Sequence, residues 1–441
     1  MPMARVVFLL NIVCLLLAIA GCEEKSVSDP YGLNVTPADF GELKLSETVN
    51  DPRIKNELDR LKANGGLPKQ LAAEYRQRTD DVSTALTARF FDGTDPDYID
   101  EQLAKSGHWW NPKAPGRELL INTQGEDYLR KWDAQRVEGR KSLIQPDVRY
   151  PYHIEQGYLA DPTWTGMMHC LARAELLEAA RQAKDNNVDE AVTAVAYAIA
   201  YGDQLNQVPL LAARNTAAEI REESFVTLRA LLLHPKFEKG NLRTLETVLE
   251  QSLRAWPDDT ELWRADRACG LHFLEMIRAG HLASLLTREE YDAMMASGEL
   301  AKLSVQIAKG LATDQAFYLE SMKKIVDAGK EPYYARVEML NSISDALNQA
   351  RNSGGYPIVS GDFLLSGMHA QQADLAKDKL RLTTWLTAIQ IANGHAPEKM
   401  PLSEFSGKPI EVREEPTQVV ASFAGAPGEI PDLVVPKLTE N

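Results

Sequence analysis

The sequence predicts a mainly α-helical protein, built as an irregular stack of antiparallel helical hairpins of the α-solenoid or bundle kind. A long aromatic-rich loop excursion and a small C-terminal β-hairpin complete the expected fold. Three observations lead there. Apolar residues recur at spacings of three and four through much of 188–393, and Pro, Gly and Asp punctuate those runs. The texture also changes twice, to a Trp-, Tyr- and Pro-rich stretch over 92–168 and to short alternating runs after 394.

The chain opens with Arg5 and an apolar run from Val6 to Ala20 interrupted by Asn11, the layout of a secretory signal. The run is short for a membrane span, which needs about 20 apolar residues. It ends in Ile19-Ala20-Gly21-Cys22, small residues before a cysteine, which resembles the lipobox of bacterial lipoproteins. The resemblance implies cleavage before Cys22 and acylation of its thiol, with two or three acyl chains making a stable anchor. Residues 23–40 are polar and turn-rich, a tether with a root-mean-square reach of roughly 23 Å. Glu23 is not the Asp that retains many lipoproteins in the inner membrane, so the outer membrane is the expected address.

Beyond the tether, 51–63 and 67–91 read as helices. The excursion over 92–168 gathers His108, Trp109 and Trp110, then Trp132, Tyr150, Tyr152, His153 and Trp164. A helix begins at Val188 with Asp189 and Glu190 in its first turn, where they complement the helix dipole, and Gly202 marks an exit. Pro209 opens the next helix, which stops at His234 because the following Pro235 disfavours helical geometry there. Leu242, Leu245, Leu249, Leu253 and Trp256 lie on one amphipathic face. Pro257-Asp258-Asp259-Thr260 breaks that helix and caps another through about Ala279. Further helices are expected over 287–312, 314–328, 331–352 and 369–393. Pro409–Val412 and Gln418–Ala421 bracket a hairpin turn, and the Pro-rich tail is expected to be poorly ordered. The implied organisation is 1–21 signal, 22–40 tether, 41–168 helices with the excursion, 169–394 main helical domain, 395–424 hairpin extension and 425–441 tail.

Two stretches carry a second resemblance. Leu176–Leu233, where Asn187-Val188-Asp189-Glu190-Ala191 opens a helix, is similar to a group of uncharacterised helical envelope proteins. So is Trp385–Pro409, where Asn393-Gly394-His395 precedes Gly407-Lys408-Pro409. Together they cover under a quarter of the chain and imply architecture and export, without a site.

Composition narrows the partners. The formal charge is −15, and loss of Arg5 with the signal makes it one unit more negative, which argues against nucleic acid as the main partner. With Cys14 removed and Cys22 acylated, Cys170 and Cys269 remain. They either pair, a disulfide worth about 4.7 kcal/mol for a loop of about 100 residues, or stay buried as free thiols. No two of the eight histidines stand at i and i+4. His272-Phe273-Leu274-Glu275 places an imidazole and a carboxylate on one helix face, in the reverse order of a di-iron motif that also needs a second copy. Val359-Ser360-Gly361-Asp362 falls in a loop with no evident base, and there is no phosphate-cradling Gly-rich motif. No cofactor or metal is implied.

The one place to look for a ligand is an aromatic platform of His108, Trp109, Trp110, Tyr150, Tyr152 and Trp164, set against a bland role as glue for the excursion. The sequence therefore favours a non-enzymatic, periplasm-facing module that is anchored by lipid and binds or scaffolds a protein or peptide. The alternative is a periplasmic hydrolase of envelope polymers, its site beneath 92–168.

Overall fold

A computed structural model describes residues 36–77, 119, 121, 123–143, 150–423, 425–426 and 431–438. Its helices are α1 (Pro52–Ala63), α2 (Pro68–Gln77), α3 (Thr123–Ser142), α4 (Thr163–Lys184), α5 (Val188–Asn206), α6 (Leu211–Leu231), α7 (Lys239–Arg254) and α8 (Thr260–Arg278). They continue with α9 (Arg288–Ser297), α10 (Glu299–Asp327), α11 (Tyr333–Ser353) and α12 (Met368–Ala392). Short 3-10 turns at Pro37–Glu42, Ser46–Thr48 and Ile154–Leu159, and a π turn at Val359–Leu364, join them. The protein is mainly α-helical, with a small, open antiparallel sheet near the C-terminus.

Local chemistry explains many boundaries. Asp51 accepts the Arg53 amide at 2.9 Å and Pro52 starts α1, a position where a missing N–H is harmless. Thr287 and Glu290 cap α9 reciprocally, at 2.9 and 3.2 Å. The α7 stripe is buried as its spacing demands, with Leu242, Leu245 and Leu249 fully inside.

Several expectations need correction. Gly202 does not end a helix: α5 runs on to Asn206, and a side chain at 202 would press on the Ala217 carbonyl of α6 at 3.2 Å. Glycine there lets two helices pack closely, as do the buried Ala191, Ala194 and Ala198. The break expected near 313 falls instead at Gly298, in the left-handed region (φ 68°), and α10 runs unbroken for 29 residues. Within the excursion lies the 20-residue helix α3. Its buried face is Gly125, Tyr128, Leu129, Arg136, Gly139 and Ser142, so it carries no apolar period to read. Arg136 and Arg140 instead grip the buried Glu175 of α4 at 3.1 and 2.7 Å.

The hairpin also gains a strand. β1 (Val412–Glu414), β2 (Gln418–Ala421) and β3 (Leu433–Pro436) form an antiparallel sheet in that order, with Val419 opposite Val435 and Ala421 opposite Leu433. These four side chains are fully buried, so the tail expected to be poorly ordered supplies an edge strand to the core.

Two apolar clusters result. One joins α4–α7, the later turns of α12 and the sheet, and includes a Phe225–Trp385 stack at 5.1 Å. The other joins the 43–67 segment, α8, α10, α11, the π turn and the start of α12. Buried ions connect elements of the two. Arg221 of α6, wholly buried, forks onto Asp378 of α12 and reaches Asp203 of α5 at 3.2 Å, with the Trp256 ring over its guanidinium at 4.8 Å. Arg214 of α6 and Arg336 of α11 share Asp259 at the head of α8, at 3.1 and 2.8 Å.

Removing one member of a buried pair strands the other charge. Arg221→Met should therefore destabilise the protein by about 3–5 kcal/mol in denaturant unfolding. Adding Asp378→Leu should recover part of the loss. A single-mutant cost below about 1 kcal/mol would remove the ion pair from this role.

Candidate functional site

Of the aromatic platform, Tyr150, Tyr152 and Trp164 lie among the described residues. His108, Trp109 and Trp110 lie outside the described residues. Tyr150, Tyr152 and Trp164 are 2, 4 and 4% exposed, placed in the core. Tyr150 stacks on Trp164 at 4.7 Å and donates to Gln204 at 2.8 Å. The Tyr152 hydroxyl meets the Cys269 sulfur at 3.4 Å. Their faces are spent on each other and on α5 and α8, which fixes the 150–159 segment to the helical body.

Cys170 and Cys269 are separate buried thiols and form no disulfide with each other. Burial pushes the Cys269 thiol up to about 12, only partly offset by its Tyr152 hydrogen bond. A thiol held neutral in this way is a packing group and not a nucleophile at neutral pH.

Among the described residues, three histidines face carboxylates on different elements. His169 of α4 meets Glu223 of α6 at 3.0 Å, and His153 lies 3.6 Å from Glu155. His395 meets Glu246 of α7 at 2.5 Å, and Asn393 donates to the same carboxylate at 2.7 Å. Asn393-Gly394-His395 thus pins the end of α12 to α7, with Gly394 taking the positive φ that closes the helix. Glu219 of α6 approaches His169 at 3.8 Å, so two carboxylates converge on that ring, while His153 faces Glu155 and His108 lies outside the described residues. The described residues contain no cluster of three metal-ligating side chains. Ser360 lies on the π turn, fully buried. Its hydroxyl and amide both donate to the Asp314 carboxylate, which also takes the Val359 amide at 2.7 Å. That Ser–Asp pair caps a tight turn.

The feature that does stand out is the grip of α8 on the N-terminal segment. His272 and Glu275 are three residues apart and share a helix face. The His272 Nε2–H donates to the Pro37 carbonyl at 2.7 Å. Glu275 accepts from the Leu45 amide at 2.6 Å, the Ser46 amide at 3.0 Å and the Ser46 hydroxyl at 2.6 Å. Gln315 of α10 donates to the same hydroxyl at 3.1 Å and is itself held by Arg278 at 2.5 Å. Leu43 between these clamps is 1% exposed, and Phe40 sets its ring edge-on to His272 and His281. Residues 37–48 therefore form a strap sealed onto α8.

The electrostatics suit a permanent contact. Burial lowers the His272 pKa, against a smaller upward pull from the Pro37 carbonyl, and keeps the ring neutral. Its Nδ1 faces Gly157, whose φ of 60° and close approach to the ring exclude a larger residue. Beside the strap Arg76 donates to Glu155 at 2.6 Å. Burial works against ionisation of Glu155, yet its His153, backbone and Arg76 contacts bring its pKa down to about 2.

Clefts open on the surface formed by the described residues. One of about 240 Å³ lies against the strap, with Leu43, Leu58 and Leu67 in its walls and Glu47, Lys55 and Lys62 around them. Another of about 180 Å³ lies between α11 and the start of α12, with Leu340, Ile343 and Leu347 inside and Asn348, Arg351 and His369 among its polar residues. Each combines apolar walls with polar groups.

No protein-family model, curated protein or solved structure matches the chain.

Glu275→Ala leaves two amides and a hydroxyl without their acceptor. Charged hydrogen bonds of this kind stabilise by about 1.5–3 kcal/mol each. The variant should be cleaved within 37–48 by limited proteolysis while α4–α7 stay protected, and wild type should resist. Equal resistance would show that the carboxylate does not hold the strap.

Proposed function

We propose that the protein is a lipid-anchored, periplasm-facing module of the bacterial cell envelope that binds or scaffolds a protein or peptide partner. Acyl chains on Cys22 are its membrane attachment, and the outer membrane is the favoured address. The observation that carries this reading is the strap. Thirteen residues separate Cys22 from Thr36, a length that as flexible chain would reach roughly 20 Å. At Pro37 a hydrogen bond from His272 of α8 takes hold of the chain. A load on the anchor passes directly to a core helix, as a module held at a surface against a partner requires.

The lipobox Ile19-Ala20-Gly21-Cys22 and the apolar run before it support the anchor. No helix among the described residues is long and apolar enough to cross a membrane. The two clefts support the binding half, with the larger one beside the strap and hence close to the tether.

Cys22→Ser should abolish incorporation of labelled palmitate and move the protein from the membrane pellet to the soluble fraction. Undiminished labelling would overturn the anchor. Affinity capture from envelope extracts should return a protein at constant stoichiometry, and a capture with no partner would count against the binding half.

A further inference from the structure

One buried charge has no counterpart. Among the described residues five arginines are buried: Arg136, Arg214, Arg221, Arg267 and Arg336. Four pair with carboxylates, Arg136 with Glu175, Arg214 and Arg336 with Asp259, and Arg221 with Asp378. Arg267, on α8 and 3% exposed, has none, and its Nε and Nη1 donate to nothing. One turn earlier on the same helix face, the fully buried indole N–H of Trp263 also lacks an acceptor.

Glu57 of α1 attracts the Arg267 charge from a distance but makes no ion pair with it among the described residues. Arg60 of α1 is spent on Glu57 at 2.8 and 2.5 Å, and Arg264 on Glu261 at 2.7 Å. Arg60 and Arg264 repel the Arg267 charge while Glu57 offsets part of that repulsion. Burial lowers the Arg267 pKa to about 10, helped by Arg60, which leaves it charged at neutral pH. An unpaired buried cation is strongly unfavourable, and a guanidinium offers its donors as a planar fork suited to oxyanions.

From this we infer that Arg267 is the core of an oxyanion site on α8, built for a phosphate-type group that accepts from its guanidinium. The indole of Trp263 offers a further donor on the same face. The group is either a free ion or the phosphate of a larger molecule, and the chemistry of recognition is the same.

The test is calorimetric titration of the purified full chain with inorganic phosphate, and separately with glycerol phosphate, at ionic strength matched with chloride. Wild type should bind phosphate and gain melting temperature over the chloride control. Arg267→Met should lose both responses and be at least as stable as wild type in chloride, because the unpaired charge is gone. Arg267→Lys keeps the charge without the fork and should bind at least about tenfold more weakly. Binding of glycerol phosphate as well would support a site for a carried phosphate, and binding of phosphate alone a site for the free ion. No response of wild type beyond chloride, or an undiminished response in Arg267→Met or Arg267→Lys, would overturn the inference.

Discussion

The arrangement depends on one constraint, that Arg214 and Arg221 of α6 must find carboxylates inside the protein. They stand seven residues apart, close to two turns, and so face the same way. One turns to Asp259 at the head of α8 and the other to Asp378 midway along α12. Apolar contacts tolerate a helix sliding or rotating by a small amount, but a buried fork on a carboxylate does not. The ion pairs therefore set the register of α6 against α8 and α12. Each of those two helices contributes side chains to both apolar clusters. Arg336, which shares Asp259, brings α11 into the same frame.

α8 is where this frame meets the N-terminus. Its first residue follows the shared Asp259, and two turns of its later half hold the strap through His272 and Glu275. The proposed anchor on Cys22 would thus be mechanically continuous with the ion network, through a single rigid helix. The same helix carries Arg267, so the proposed oxyanion would bind to the element that also holds the strap.

What the sequence reveals follows from which interactions leave a periodic trace. The stripe of Leu242, Leu245 and Leu249 is legible because apolar burial repeats with the helix, and Pro257 to Thr260 is legible because it is a break and a start together. The helix α3 leaves no such trace, since it is attached by Arg136 and Arg140 to a carboxylate in another helix. Gly202 reads as an exit or as a close contact equally well, and only the position of the Ala217 carbonyl decides. β3 looks like tail because Leu433 and Val435 make sense only beside β2. His272 and Glu275 were visible as a pair, but Ser46 lies 229 residues away in the chain, and pattern reading has no access to such a partner. The aromatics of the excursion show the same ambiguity: a ring suited to a ligand is equally suited to a core, and Tyr150 and Trp164 chose each other.

The central claim, that buried ions join two apolar clusters into one cooperative unit, is tested most directly by native-state hydrogen exchange. If it holds, the slowest amides of α5 in one cluster and of α10 in the other should open with the same free energy. Arg221→Met should lower both by equal amounts. Independent opening energies in wild type, or a loss confined to α5, would contradict it and leave two bodies that merely touch.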